Sequence, residues 1–244
     1  SAAEVAALIR ARVDLPERPL PARPRLARPR VPRGEGRVYF VPRRGLLQAH
    51  VAVAVEGAPL TPAEHPLALA YSEYLGGGMS GLVFHELREL RGLAYAVSAR
   101  FHEPAVADRP GLTLAALAAR ADHAVAAAAL LRRLVVDPPD QPGRIEQVRS
   151  ALLRAQEADH PGFRDLLEVV DRWRWQGHRA DPRRAVLDAI GRLDLADLRR
   201  FHAAHVAGRP VALMVVADPA RVRPRDLAAL GPVEVIPERR LFAP

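Results

Sequence analysis

The chain has 244 residues, of which 49% are hydrophobic and 26% are charged, and it contains no cysteine. This composition indicates a globular chain of one large domain or two small ones, and it excludes disulfide frameworks, Cys-ligated zinc and cysteine nucleophiles. Charged residues interrupt the most apolar stretch, residues 115–136, so we predict no membrane span and a soluble protein whose compartment stays open. The first fourteen residues lack the pattern of a signal peptide.

The formal net charge is +8, and it is concentrated at one end of the chain. The first 44 residues contain eleven arginines and four acidic residues, which leaves the remainder nearly neutral. A basic arm of this kind suits phosphates or acidic lipid. Its alternating prolines, with no aromatic side chain on which bases could stack, favour an extended spacer instead. Binding to nucleic acid or to a membrane surface is therefore a less favoured alternative for the function of this chain.

The first predicted element is a short helix over residues 2–13 with its apolar side chains on one face. Such a short helix is marginal in isolation and needs a surface on which to pack. We interpret it as part of a preceding domain. The predicted organisation is a helical tail over residues 1–14, a Pro/Arg-rich linker over 15–36 and a domain over 37–244.

The domain opens with two predicted strands, over residues 38–41 and 47–55. Thr61, Pro62 and Glu64 then form a capping-box start for a helix that we predict to run to residue 75.

Three glycines, Gly76, Gly77 and Gly78, end this helix, and Ser80 is predicted to cap a second helix over residues 81–91. Gly92 stands where a left-handed C-terminal cap belongs. Two strands follow, over 93–101 and 111–118, which we expect to be antiparallel neighbours. The later predicted elements are helices over 122–136, 145–157, 163–175, 183–190, 195–206 and 225–230, and strands over 210–217 and 233–236.

The order of these elements is not a regular alternation of strands and helices. Two strands, two helices, two strands and a run of helices are typical of an α+β fold. We therefore predict a largely antiparallel sheet that is covered on one face by helices.

Nine histidines make a metal site the first chemistry to test. His85 and Glu89 have the i, i+4 spacing of two ligands, but an ion-paired solvated face is the favoured interpretation. His202 and His205 also share a helix face, and without a third ligand nearby an exposed or hydrogen-bonded pair is favoured. Neither H-E-x-x-H nor H-x-x-E-H occurs in the chain.

Serine and phosphate chemistry find equally little support. No serine lies in G-x-S-x-G, and the three glycines lack the Lys-Ser/Thr of a P-loop. The glycines would instead let the backbone approach a ligand closely or let a loop move.

One pair of motifs resembles a known family. The run L-G-G-G-M-S-G-L-V-F over residues 75–84 is followed by L-R-E-L-R-G-L-A-Y-A-V over 87–97. A glycine-rich loop, a helix ending in R-E-x-R-G-L-A-Y and a strand, in this order, resemble the second, non-zinc domain of the pitrilysin and mitochondrial processing peptidase family of zinc peptidases. The resemblance extends more weakly over residues 38–236.

The resemblance implies specific residues. In that family the non-zinc domain supplies an Arg and a Tyr seven positions apart that bind the substrate backbone, and Arg88 and Tyr95 have this spacing. A phenol can donate to a carbonyl that becomes an oxyanion, and a guanidinium offers a planar fork. Arg91 is the competing arginine. Gly76 to Gly78 resemble the family's glycine-rich loop in a shorter form and are predicted to contact substrate.

The resemblance also implies a partner. Because this chain lacks H-x-x-E-H, the zinc ion, the water it activates and the general base are expected on a homologous zinc-binding domain or subunit. Alone, the chain is not expected to hydrolyse peptides; the expected substrates of the assembly are extended peptides. The second interpretation is a catalytically inactive scaffold or assembly subunit with the same fold.

Overall fold

The computed structural model describes residues 1–13 and 36–241 of the chain. The chain divides into two compact units, Ser1–Val31 and Pro32–Pro244. The predicted linker over 15–36, with its arginines, lies outside the described residues except for Gly36. In the first unit the described element is helix α1 (Ala2–Arg12), which begins with a capping box between Ser1 and Glu4 and buries none of its residues.

A six-stranded sheet forms the centre of the second unit, with the strand order β3-β4-β2-β5-β1-β6. Its strands are β1 (Val38–Pro42), β2 (Gln48–Pro59), β3 (Ala96–His102), β4 (Pro110–Arg120), β5 (Val211–Ala217) and β6 (Val233–Val235).

The predicted α+β class with a largely antiparallel sheet is confirmed. β4 pairs antiparallel with both β3 and β2, and β2 pairs antiparallel with β5. β1 lies between β5 and β6 and runs parallel to both, so the last strands of the chain complete the sheet around the first one. The two strands predicted as antiparallel neighbours, β3 and β4, are paired with Ser98 opposite Ala116.

Helices cover one face of this sheet, and the core lies between the two layers. The helices are α2 (His65–Gly76), α3 (Leu82–Phe84), α4 (Ala124–Val136), α5 (Arg144–Ala158), α6 (Leu166–Trp175), α7 (Arg183–Gly191) and α8 (Leu195–His205). Helices α2, α4 and α8 contact the strands directly. None of the helices in the described part of the chain is long and apolar enough to cross a membrane.

An aromatic cluster joins the two layers of the core. The ring of Phe201 on α8 lies 5.0 Å from that of Phe101 on β3 and 5.3 Å from that of Tyr71 on α2. All three side chains are buried, so the cluster anchors α2 beside the sheet edge that β3 forms.

The helix after the glycines differs from the prediction. Its regular α-helical part is limited to α3, and a π-helical turn over His85–Glu89 follows directly. Ser80 does not cap it, because Gly81 holds the N-cap position and the Ser80 hydroxyl donates to the carbonyl of Gly77 at 3.0 Å. That prediction was wrong.

Two strand boundaries also differ. β2 passes Gly57 and ends at Pro59, which pairs with Pro110 beyond an irregularity in the ladder. β3 begins at Ala96 and not at Leu93, because the reversal at Gly92 uses the intervening residues.

The predicted capping box is present, but it begins a 3-10 turn over Pro62–Glu64 that leads directly into α2, and it connects to a buried histidine. The Glu64 carboxylate accepts from the N–H of Thr61 at 2.9 Å and from its hydroxyl at 2.6 Å. Its other oxygen lies 3.1 Å from Nε2 of the fully buried His205. Burial raises the pKa of the Glu64 carboxyl, but the hydrogen bonds from Thr61 and His205 outweigh burial and lower that pKa below its usual value of 4.5.

We predict that Glu64→Gln lowers the free energy of unfolding at pH 7 by about 1–2 kcal/mol, because it removes charge-assisted hydrogen bonds. A lowered folded-state pKa means that the carboxylate stabilises the fold fully above pH 4.5 and loses this effect as the pH falls through the folded-state pKa. Urea unfolding at several pH values should therefore show the two proteins converging in acid. The exposed Glu168→Gln is the control, and a difference that stays constant down to pH 3 would contradict the assignment.

Candidate functional site

A glycine reverses the chain between the π turn and β3. Gly92 has a φ of +57° and donates its N–H to the carbonyl of Arg88 at 3.1 Å. The next N–H, that of Leu93, donates to the main-chain carbonyl of the buried Leu87 at 2.9 Å. Gly92 is thus the predicted left-handed cap. Residues other than glycine adopt this backbone conformation at an energetic cost.

This reversal places the side chains of Arg88 and Tyr95 against each other. The guanidinium carbon of Arg88 lies 5.7 Å from the centroid of the Tyr95 ring and 4.9 Å from that of Phe84. Both separations are within the range of a cation–π contact. The N–H of Tyr95 donates to the carbonyl of Ala118 at 3.0 Å, so the backbone at Tyr95 is held by the sheet.

Both members of this pair face solvent. The Tyr95 residue is 76% exposed, and the Arg88 side chain is 45% exposed. The acidic neighbour of Arg88 is Glu89, whose carboxylate lies 3.8 Å from its Nε, at the long end of ion-pair distances. The planar guanidinium of Arg88 and the phenol of Tyr95 therefore lie together on one exposed surface.

Arg91 makes different contacts. Its Nη1 donates to the main-chain carbonyl of Glu86 at 2.9 Å and also to the Glu86 carboxylate. Glu86 is buried, whereas the Arg91 side chain is 40% exposed, so this ion pair connects the surface to the base of the π turn. The prediction of Arg91 as a substrate contact stays a prediction.

The three glycines are accounted for by their local packing. A Cβ on Gly76 would lie 1.9 Å from the carbonyl oxygen of Ala99, so the end of α2 passes against the backbone of β3. A Cβ on Gly77 would lie 2.2 Å from the carboxylate of Glu73, and Gly78 has a φ of +55°. The sequence predicted that these glycines let the backbone approach a ligand closely. At Gly76 the close approach is instead to strand β3 of the same domain.

The glycine loop opens onto a groove of about 1010 Å³ along the edge strand β3. Its walls include Phe84, whose ring contacts Arg88, and Gln156 on α5. Burial raises the pKa of the Glu73 carboxyl, which lies in this groove beside Gly77. Sequence reasoning missed this groove, because α5 and β3 are far apart in the chain and no local pattern indicates their proximity.

The uncovered face of the sheet carries a second, shallower depression of about 460 Å³. Its floor includes Ala52, Ser98 and Ala116, which stand in one row across three strands. Met214 continues this row on β5. The strand alternation predicts these outward positions, and their small size makes the depression.

The two residue pairs that were tested for metal spacing, and for which a non-metal interpretation is favoured, have separate partners. Nε2 of His202 lies 3.3 Å from the carbonyl of Val135, and His205 contacts Glu64. Glu89 lies beside Arg88. Over residues 1–13 and 36–241, no group of three or more His, Asp or Glu residues is placed to bind a metal ion.

A family model for the peptidase M16 inactive domain matches residues 5–136, which is more than half of the chain. The chain belongs to this family. The match includes the glycine loop, Arg88 and Tyr95, and the name agrees with the resemblance stated from the sequence. An uncharacterized zinc protease of Streptomyces coelicolor is 42% identical to this M16 inactive domain over 65 residues, which are 27% of this chain and 14% of that protein.

Solved structures share the fold of this M16 inactive domain. A peptidase M16 inactive domain from Pseudomonas fluorescens has a TM-score of 0.63 at 14% identity, covering 77% of this chain and 45% of that one. A protease from Helicobacter pylori has a TM-score of 0.64 at 16% identity, covering 89% and 53%. The chain thus spans about half of these structures and a smaller part of the Streptomyces protein.

We predict that Gly76→Ala lowers the free energy of unfolding by about 1–3 kcal/mol, because the new methyl group must displace the backbone of β3. Gly191→Ala is the matched control, since Gly191 is also the last residue of a helix but has open space around it. We expect that control to be neutral or stabilising by up to about 1 kcal/mol. Urea unfolding measures both, and equal effects of the two substitutions would refute the packing assignment.

Proposed function

We propose that this M16 inactive domain is the non-catalytic half of a zinc metallopeptidase and that Arg88 and Tyr95 bind the peptide substrate. The single observation that supports the proposal is the contact between these two side chains on an exposed surface. The zinc-protease relative and the family assignment give its class of reaction.

The described residues do not fit zinc, so the proposal places the ion on a partner domain or subunit that carries H-x-x-E-H. No step assigned to this chain passes through the metal. An inactive domain pairs with a catalytic domain in this family, and the solved structures that the chain matches are about twice as long.

The chemistry assigned to this chain is binding and charge stabilisation. The Tyr95 hydroxyl would donate to the carbonyl of the scissile peptide as negative charge develops on its oxygen. The Arg88 fork would bind a neighbouring carbonyl or carboxylate of the same substrate and hold its backbone in place. The groove along β3, lined by Gly76 to Gly78, has room for an extended peptide segment.

We also propose the predicted organisation of the chain: a helical tail over residues 1–14, a linker over 15–36 and the inactive domain over 37–244. This organisation is supported by the apolar side chains Val5, Leu8 and Ile9. They lie on one face of the helix and are exposed in this chain. A preceding homologous domain would provide the surface that this helix covers.

The test of the Arg/Tyr pair uses the chain together with its zinc-bearing half and a quenched extended peptide. We expect Tyr95→Phe to lower kcat by about 10²–10³-fold, the cost of removing one donor to a developing oxyanion. Arg88→Ala should lower kcat/KM by a similar order. Tyr39→Phe, on the uncovered face at β1, and the exposed Arg154→Ala are the matched controls.

Unchanged cleavage in both Tyr95→Phe and Arg88→Ala would reject the proposal. That result would favour the second interpretation, in which the domain is a scaffold or assembly subunit. The basic-arm alternative concerns residues outside the described ranges and predicts instead an affinity for nucleic acid or acidic vesicles that falls steeply with salt.

The domain organisation has its own test. Leu8→Ser should leave the unfolding of this chain unchanged, because Leu8 is 59% exposed here. In a longer protein that contains the preceding domain, the same substitution should cost about 2–3 kcal/mol if the helix is buried there. Urea unfolding of both proteins makes the comparison, and an equally small effect in both would refute this organisation.

A further inference from the structure

The ion pair between Glu86 and Arg91 is the most buried charged contact of the motif that carries Arg88. Glu86 is 8% exposed, and Arg91 donates both to its carboxylate and, at 2.9 Å, to its main-chain carbonyl. The Nε2 of Gln141, in the segment before α5, lies 3.5 Å from the other carboxylate oxygen. A buried carboxylate of this kind persists because a charged partner and hydrogen bonds compensate its loss of water.

The five-residue spacing of this pair matches the π turn that precedes Arg91. In an α-helix the neighbours on one face are three and four residues apart, whereas Glu86 and Arg91 are five apart. A π turn closes hydrogen bonds over five residues, as the N–H of Leu90 does to the carbonyl of His85 at 3.0 Å. The wide turn therefore brings positions 86 and 91 to the same side, where one guanidinium contacts both the main chain and the side chain of Glu86.

Arg88 lies inside the turn that this contact spans. On one side of it, Leu87 is fully buried in the core, and beyond the turn the backbone of Tyr95 is bonded to β4. An α-helix turns by about 100° per residue, so closing the π turn to an α turn would rotate the following residues by that amount relative to the core. Such a rotation would separate the guanidinium of Arg88 from the ring of Tyr95.

We propose that Glu86 and Arg91 are positioning residues, which maintain the π turn and thereby keep Arg88 against Tyr95. The value of this arrangement for catalysis rests on the proposed function, but the arrangement itself does not. On the two proposals together, the two arginines of the motif have different roles: Arg88 binds the substrate, and Arg91, through its contact with Glu86, positions Arg88.

The structural test does not need activity. In this chain, labelled at tyrosine and arginine, NOEs between the Arg88 side chain and the Tyr95 ring report their contact, and Arg88→Ala identifies these NOEs by removing them. We expect Arg91→Ala to abolish the NOEs and Glu86→Gln, which keeps the shape of the side chain, to weaken them. The exposed Arg154→Ala is the control and should leave them unchanged.

Folding is monitored in the same samples. The dispersed amide spectrum of β3 and β4 must be retained, and Glu86→Gln provides a folded variant if Arg91→Ala unfolds. A folded Arg91→Ala or Glu86→Gln protein with NOEs of wild-type intensity would overturn the proposal. Amide hydrogen exchange at Glu89 and Leu90 gives a second measure, and we expect it to become faster in both variants.

The kinetic test uses the chain with its zinc-bearing half. Misplacing Arg88 should lower kcat on the order of 10²-fold in Arg91→Ala, with a smaller change in KM. Arg91→Lys keeps the charge and should recover part of the activity, because it still pairs with the carboxylate. A general loss of structure would instead lower the amount of active enzyme, which the dispersed amide spectrum of the same protein reports.

The two proposals fail in different ways. If Arg88→Ala and Tyr95→Phe both leave cleavage unchanged while Arg91→Ala abolishes the NOEs, the proposed function is rejected and the positioning role stands. If Arg88→Ala abolishes cleavage while Arg91→Ala changes neither cleavage nor the NOEs, the positioning role is rejected and the proposed function stands.

Discussion

The geometry of the candidate site depends on one reversal of the chain, at Gly92. Before it, Leu87 is anchored in the core between helices and sheet, and after it the backbone of Tyr95 is bonded to β4. Between these fixed points the chain turns through a left-handed conformation, which costs an ordinary residue about 1–2 kcal/mol. The exposed pair therefore obtains its order from buried neighbours on both sides, and its own mutual contact contributes little to it.

Much of this fold can be predicted from local patterns in the sequence. Alternating apolar residues identify β2 and β4, and the Ala/Leu run identifies α4. The capping residues at Thr61 and the cap at Gly92 mark element ends, because each signal concerns residues a few positions apart. The spacing of Arg88 and Tyr95 belongs to the same class, since one helix end and one turn separate them.

The features that sequence reasoning missed depend on distant contacts. Nothing near β1 indicates that β5 and β6, which begin 173 and 195 residues after it, lie on its two sides. The sequence around Gly76 predicts a loop glycine. The position requires glycine, however, because a side chain there would collide with the backbone of Ala99 on β3. The π turn has no periodicity of its own, and its stabilising contact between Glu86 and Arg91 has a spacing that an α-helix would place on different faces.

The exposure of the pair bears on its chemistry. In bulk water two unit charges 4 Å apart interact by about 1 kcal/mol, and by about 4 kcal/mol at an effective dielectric constant of 20 near a protein surface. A phenol and a guanidinium open to solvent, as Tyr95 and Arg88 are here, therefore stabilise developing charge weakly. The same two groups become effective once a second surface excludes water from them. On the proposed function, the exposed Tyr95 and Arg88 would therefore act where a second polypeptide surface covers them.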